Sequence, residues 1–239
     1  IALKTARLEK SSTLVKENRI LEYFRNCSEI VHSYGAESTV EDGHEFYNLL
    51  LEYAPAGTLF DLMQRSGGCV PDEIDVRLYT WMVLNGLSRI HAKGVVHCDI
   101  KPDNILVFPT EHDGIYQLKI SDFGLAKELS EAATDEDENL GTTAYMSPEA
   151  VAPRGEIVTA LDIWSLGCVV VEMITGRDAW PCLASVTIVH LMVTREKTPK
   201  IPENMPETGK DFLSKCFERD PRKRWSAQML LDHPYVSGG

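Results

Sequence analysis

The sequence predicts an α+β fold, with a short strand-bearing part at its N-terminal end and a mainly helical remainder from about Gly57 onward. Three observations support this. Ile1-Ala2-Leu3-Lys4 and Phe46–Tyr53 read as strands, with an amphipathic helical stretch between them. The segment Ala54-Pro55-Ala56-Gly57 then breaks the chain. Beyond it, apolar residues recur at helical spacing over long stretches.

Taken in order, the alternating start ending at Lys4 is compatible with an edge strand. Behind a cap at Ser11 or Ser12, Leu14, Glu17, Leu21 and Phe24 recur at helical spacing, which puts Glu17 on the inward stripe, where an unpaired carboxylate would be costly. Tyr79, Met82, Val83, Gly86, Leu87 and Ile90 form the stripe of a second helix, which Lys93-Gly94 ends with a favourable cation and a C-cap glycine. This helix leads directly into His97-Cys98-Asp99-Ile100-Lys101-Pro102-Asp103-Asn104. Ile105–Phe108, a turn at Asp113-Gly114, and Tyr116, Leu118 and Ile120 alternating with Gln117, Lys119 and Ser121 read as a β-hairpin. That hairpin brings Asn104 beside Asp122 of Asp122-Phe123-Gly124. Ile163–Ile174 is an apolar helical run opened by Asp162, a carboxylate that demands a partner there. Met229–Val236 reads as a helix broken at Pro234, with His233 structural.

With 239 residues, 44% hydrophobic and 25% charged, the chain can bury a real core. The formal net charge of −12 argues against nucleic acid and anionic membrane as partners. Cys27, Cys69, Cys98, Cys168, Cys182 and Cys216 show no C-x-x-C spacing, so reduced cysteines are expected, in the cytoplasm and in addition the nucleus. The run Ile163–Ile174 is shorter than a membrane span and contains Glu172, and no signal-peptide pattern is present. A soluble monomer is the expectation.

The cluster from Asp99 to Asn104, with Asp122 further on, is the inventory that metal-assisted phosphoryl transfer needs. A phosphoryl group carries its charge on oxygens, so the protein has to position a nucleophile and neutralise charge. Asp99 would accept or orient a hydroxyl proton, Lys101 would face the moving phosphate, and Asn104 and Asp122 would offer oxygens to Mg²⁺. Gly124 is expected to let the backbone turn sharply. An Asp, a Lys and an Asn near prolines are, taken alone, more often a solvated turn. Their order and spacing decide against that reading.

With these motifs in sequence, the chain resembles a eukaryotic Ser/Thr protein kinase, Lys101 being the residue that distinguishes that type from tyrosine kinases. The resemblance implies two lobes, a partial N-lobe with hinge over 1–56 and a C-lobe over 57–239 carrying the catalytic loop and activation segment. It implies ATP and Mg²⁺ as cofactors. Lys4 would reach the α- and β-phosphates and pair with Glu17. Ala2, Leu51 as gatekeeper, the backbone of Glu52 and Ala54, and Leu106 would hold the adenine, and Asn104 and Asp122 the metal. Thr142 matches the threonine that hydrogen-bonds the catalytic Asp and Lys. Asp162 would accept backbone N–H groups of the catalytic loop, and Glu149 would pair with Arg224. Cys98 stands where many kinases carry the arginine that receives an activation-loop phosphate; a thiol cannot make that contact, or it is simply a small buried hydrophobe. Glu128, Glu131 and Asp135–Glu138 make the activation segment acidic, and Ser130, Thr134 and Thr143 are its phosphorylation candidates.

His97–Pro102, Gly141–Glu149, Gly167–Gly176 followed by Trp180-Pro181, and Cys216–Pro221 look most like plant MAP kinase kinase kinases of the MEKK-like group, which implies a MAP kinase kinase as substrate. The glycine-rich loop and two strands expected before Lys4 are not in the sequence, so a piece of a longer gene product is expected. The alternative is a catalytically inactive module that binds signalling partners.

Overall fold

The computed structural model describes all residues except 112–113, 131–140, 152–155, 181–182 and 239. The expectations for Asp113, Glu131, Thr134, Asp135–Glu138, Pro181 and Cys182 lie outside the described residues.

The α+β expectation holds. Strand β1 (Ala2–Arg7) is followed by helix α1 (Ser12–Glu22), then β2 (Ser33–Glu41) and β3 (His44–Leu51). The three strands form one antiparallel sheet in the order β1-β3-β2, with Ala2 opposite Leu51 and Lys4 opposite Leu49. β1 therefore lies at the sheet edge, and Leu3 on it is exposed. Strand β2 is an element the sequence reading did not name. Its signal was Asp42-Gly43, whose φ values of 50° and 77° give the two left-handed residues of a two-residue hairpin turn between Glu41 and His44. β3 runs from His44 to Leu51 rather than from Phe46 to Tyr53. The Glu52 N–H leaves the ladder to donate to His32 O at 2.9 Å, and Tyr53 is exposed.

In α1, Glu17, Ile20 and Leu21 are buried, and Phe24 is buried just past the helix end. Ser11 occupies the N-cap position but does not cap, because its hydroxyl donates to Leu8 O at 2.8 Å, a carbonyl of the preceding turn.

The helical part comprises α2 (Leu59–Arg65), α3 (Glu73–Ala92), β4 (Val95–Val96), the hairpin β5 (Ile105–Pro109) and β6 (Tyr116–Ile120), β7 (Lys127–Glu128), α4 (Ala160–Thr175), α5 (Ser185–Thr194), α6 (Glu207–Cys216), α7 (Ala227–Leu231) and α8 (Pro234–Ser237). α3 buries Tyr79, Val83, Gly86, Leu87 and Ile90 as the periodicity requires, and Gly94 beyond its end takes a left-handed φ of 70°. Every residue of α4 from Ala160 to Met173 is buried, so this helix is the axis of the core. Mainly apolar and buried on all sides, it is a helix enclosed by others. Among the described residues no helix is long and apolar enough to cross a membrane. α7 and α8 are separate helices because Pro234 starts the second, its missing N–H falling where a helix has no internal acceptor. His233 caps α8 by accepting from the Tyr235 N–H at 3.1 Å and meets Asp211 at 3.1 Å, a structural role.

Candidate active site

Burial of α4 makes Asp162 a fixed acceptor at the bottom of the loop that follows β4. Its Oδ2 accepts the His97 N–H and its Oδ1 the Cys98 N–H, both at 2.9 Å, and His91 Nε2 meets Oδ2 at 2.8 Å. The resemblance implied the loop N–H groups; His91, at the end of α3, carried no signal. Burial alone would raise the Asp162 pKa, but the His91 hydrogen bond and charge, with His97 beside them, hold it below the usual carboxylate range. A depressed pKa contributes stability that is present above about pH 4 and lost as the pH falls through the folded value. The urea midpoint of wild type should therefore exceed that of Asp162→Asn at pH 7, with the gap shrinking below about pH 4. A gap unchanged between pH 7 and pH 3 would refute this account.

With its floor fixed, the loop presents Asp99 half-buried. Asp99 Oδ1 accepts both the N–H and the hydroxyl of Thr142 at 3.0 Å; Oδ2 accepts from Asn104 Nδ2 at 2.9 Å and lies 2.8 Å from Lys101 Nζ. Lys101 also donates to Thr142 Oγ1 at 2.8 Å. Both Asn104 Nδ2 bonds go to Asp99, one to its backbone carbonyl at 2.8 Å, which leaves Asn104 Oδ1 as the acceptor. Under this loop a cavity of about 30 Å³ runs between Asp99, Cys98, Thr142, Tyr145 and Ser147. Cys98 itself has a left-handed φ of 67°, and its thiol points back to Val96 O at 3.6 Å.

The hairpin pairs Ile105 with Ile120, and Ser121 N–H donates to Asn104 O at 2.9 Å, so Asp122 follows directly on the residue facing Asn104. The sharp turn falls on Asp122, with φ 62° and ψ 73°, and not on Gly124 as expected. Gly124 serves close approach instead: a Cβ there would come within 3.2 Å of Asp122 Oδ1 and 3.3 Å of Thr13 Cγ2 in α1.

Lys4 lies 2.8 Å from Glu17 Oε1 and 2.9 Å from Asp122 Oδ1, so one ammonium ties β1, α1 and the Asp-Phe-Gly turn together. Burial alone would lower the Lys4 pKa, but Glu17 and Asp122 outweigh it and raise it. Burial tends to raise Asp122, yet its bond to Lys4 holds it below its ordinary value, so this carboxylate is ionised at neutral pH. Burial pushes Glu17 upward against the pull of Lys4. Glu17 Oε1 also accepts the Phe123 N–H at 3.2 Å, and the Phe123 ring lies between Phe24 (5.9 Å) and His97 (4.9 Å).

Ala2 pairs with Leu51, which is buried, and Leu106 bridges to Thr58 just past the linker. The Glu52 carbonyl and the Ala54 N–H engage no group among the described residues, as adenine-binding backbone would require. The Glu52 side chain does something the sequence did not disclose. It takes Lys119 Nζ at 2.7 and 2.8 Å and the His32 N–H at 3.2 Å, bolting the linker to β6.

Asp122 and Asn104 each carry a hard oxygen donor, at the adjoining ends of β6 and β5. Among the described residues no group of three or more His, Cys, Asp or Glu side chains could hold a metal. Two protein oxygens plus water and phosphate oxygens suit Mg²⁺, which keeps several waters.

The Protein kinase domain family matches residues 1–236. The chain belongs to the protein kinase family. Within it, the chain is 45% identical over 243 residues to mitogen-activated protein kinase kinase kinase 20 of Arabidopsis thaliana, spanning 99% of the chain and 69% of that protein. It is 38% identical to mitogen-activated protein kinase kinase kinase 17 of the same plant (99% of the chain, 62% of the relative), and 38% identical over 228 residues to mitogen-activated protein kinase kinase kinase YODA (95% and 24%). The chain thus spans about a quarter to two-thirds of the length of these relatives.

Proposed function

We propose that the chain is a serine/threonine protein kinase of the MAP kinase kinase kinase type, transferring the ATP γ-phosphate to a hydroxyl of a MAP kinase kinase. The observation that supports it best is the assembled set around Asp99 and Lys4: the Lys4–Glu17 and Lys4–Asp122 pairs, and an Asp99 carboxylate fixed by Thr142, Asn104 and Lys101. Residues 1–56 act as the smaller lobe with hinge and 57–239 as the larger one.

When bound, ATP with Mg²⁺ supplies the phosphoryl group and a charge that offsets its oxygens. Asn104 Oδ1 and Asp122 would hold the metal. Lys4, kept charged by its two carboxylates, binds the phosphates. Ala2, Leu51 and Leu106 enclose the base, and the Glu52 carbonyl and Ala54 N–H bond its edge. Asp99 orients the acceptor hydroxyl and takes its proton, while Lys101, anchored on Thr142, faces the phosphate in flight.

The deciding experiment is transfer of radiolabelled γ-phosphate from ATP-Mg²⁺ to a kinase-dead MAP kinase kinase, comparing this chain, a version extended upstream, and Asp99→Asn in the extended form. Label on serine or threonine that vanishes with Asp99→Asn supports the reading. No transfer from either folded wild-type form would leave the binding module instead. Because Cys98 cannot hold a phosphate in bidentate fashion, activity should also survive Ser130→Ala, Thr134→Ala and Thr143→Ala together; loss of transfer in a folded triple variant would reject that.

A further inference from the structure

Lys119 lies on β6 between Leu118 and Ile120, both buried. Strand alternation turns Lys119 to the other face, beside Leu106, the residue directly opposite it on β5. A lysine there normally carries its ammonium out to water. This one does not. Its side chain is 13% exposed, its Nζ lies 4.6 Å from the centre of the Phe108 ring, and it reaches both carboxylate oxygens of Glu52 at 2.7 and 2.8 Å.

Glu52 is held from a second side as well. Its N–H donates to His32 O at 2.9 Å, and its Oε2 accepts the His32 N–H at 3.2 Å. The segment leading to His32 is itself sewn to β6, by the Val31 N–H on Ile120 O at 2.9 Å and the Ile120 N–H on Glu29 O at 2.8 Å. Backbone and side chain thus pin the Glu52 Cα, while its carbonyl engages no group among the described residues. Lys119 fixes where that carbonyl stands relative to Leu106.

Resting on the ATP reading above, we propose that Lys119 is a positioning residue that makes the base site selective for adenine over guanine. Adenine offers an amine beside a bare ring nitrogen, which match the Glu52 carbonyl and the Ala54 N–H. Guanine offers an oxygen and a ring N–H at the same places, so acceptor meets acceptor and donor meets donor. A pinned carbonyl rejects guanine, as a site built to hydrogen-bond one partner rejects its mismatch. A linker released from β6 can shift and lose that discrimination.

The test is steady-state phosphoryl transfer from ATP and from GTP to a kinase-dead MAP kinase kinase, with full-length wild type, Lys119→Met and Lys119→Arg. Lys119→Met keeps an apolar stem beside Leu106 and removes the charge. Its KM for ATP should rise about tenfold, the worth of one hydrogen bond to a charged group, with kcat within about twofold of wild type, the pattern of lost ground-state binding. GTP use should change little, so the preference for ATP in kcat/KM falls about tenfold. Lys119→Arg, which can still pair with the carboxylate, should recover most of it. A merely structural loss would lower ATP and GTP use together and leave the ratio in place. An unchanged ratio in Lys119→Met, or a higher kcat with both KM values unmoved, would overturn the role of Lys119. Wild type that uses both nucleotides equally would overturn the selectivity and leave the ATP reading intact, whereas wild type that transfers from neither would overturn the ATP reading itself.

Discussion

Asp99→Asn is expected to lower the rate of phosphoryl transfer about 10²–10⁴-fold, the usual worth of a positioned general base, with the KM for ATP nearly unchanged. The carboxylate accepts three hydrogen bonds, two from Thr142 and one from Asn104, and forms an ion pair with Lys101. An amide keeps the shape but turns one oxygen into a donor facing donors, and it cannot take a proton. The lost function concerns the acceptor hydroxyl alone, because the nucleotide-side groups Lys4, Glu17 and Asp122 form a separate ion-paired set. The loss should therefore fall on kcat and on kcat/KM equally, the mark of an interaction made only in the transition state. Thr142→Val, which removes the hydroxyl shared by Asp99 and Lys101 but keeps the backbone N–H, should cost less. A rate for Asp99→Asn within threefold of wild type would remove Asp99 from its assigned role.

Much of this site was legible because the sequence packs it densely. The hairpin alternation from Ile105 to Ile120 implied that Asn104 and Asp122 are neighbours, and the observed pairing has that register. Helical spacing put Glu17 inward, where it meets Lys4. What escaped had physical reasons. β2 was overlooked because its residues are mostly exposed and polar, leaving no alternation to read. The Glu52–Lys119 contact joins residues 67 apart through charged side chains, which read as ordinary surface groups until β6 is laid beside the linker. Gly124 looked like the turn, whereas a short polar side chain such as Asp122 also tolerates the left-handed region. His91 reaches Asp162 across 71 residues, a meeting set by how α3 packs on α4 and not by any local pattern.

Arg224→Ala is expected to destabilise the fold by about 3–5 kcal/mol, because it leaves the largely enclosed Glu149 carboxylate without its partner. The guanidinium is fully enclosed. It takes both oxygens of Glu149, at 2.5 and 3.1 Å, donates to Ala160 O at 2.7 Å and to Glu218 O at 2.8 Å, and lies 5.1 Å from the ring of Trp164. Truncation thus strands one anion and two carbonyls and opens a void beside α4. In a chain of this length that corresponds to a fall in Tm of about 6–20 °C. Arg224→Lys should recover only part of it, since a single ammonium on a flexible stem cannot serve three acceptors in a planar fork. Most of the loss is the cost of the stranded charge, so Glu149→Gln combined with Arg224→Ala should be less damaging than the sum of the two single changes, a coupling a double-mutant cycle measures. The effect should extend to the active site. Ala160, whose carbonyl Arg224 holds, opens the helix on which Asp162 carries the loop before Asp99. Thermal unfolding that moves by less than about 3 °C in Arg224→Ala would mean that the pair is dispensable and that the platform under Asp99 rests on α4 packing alone.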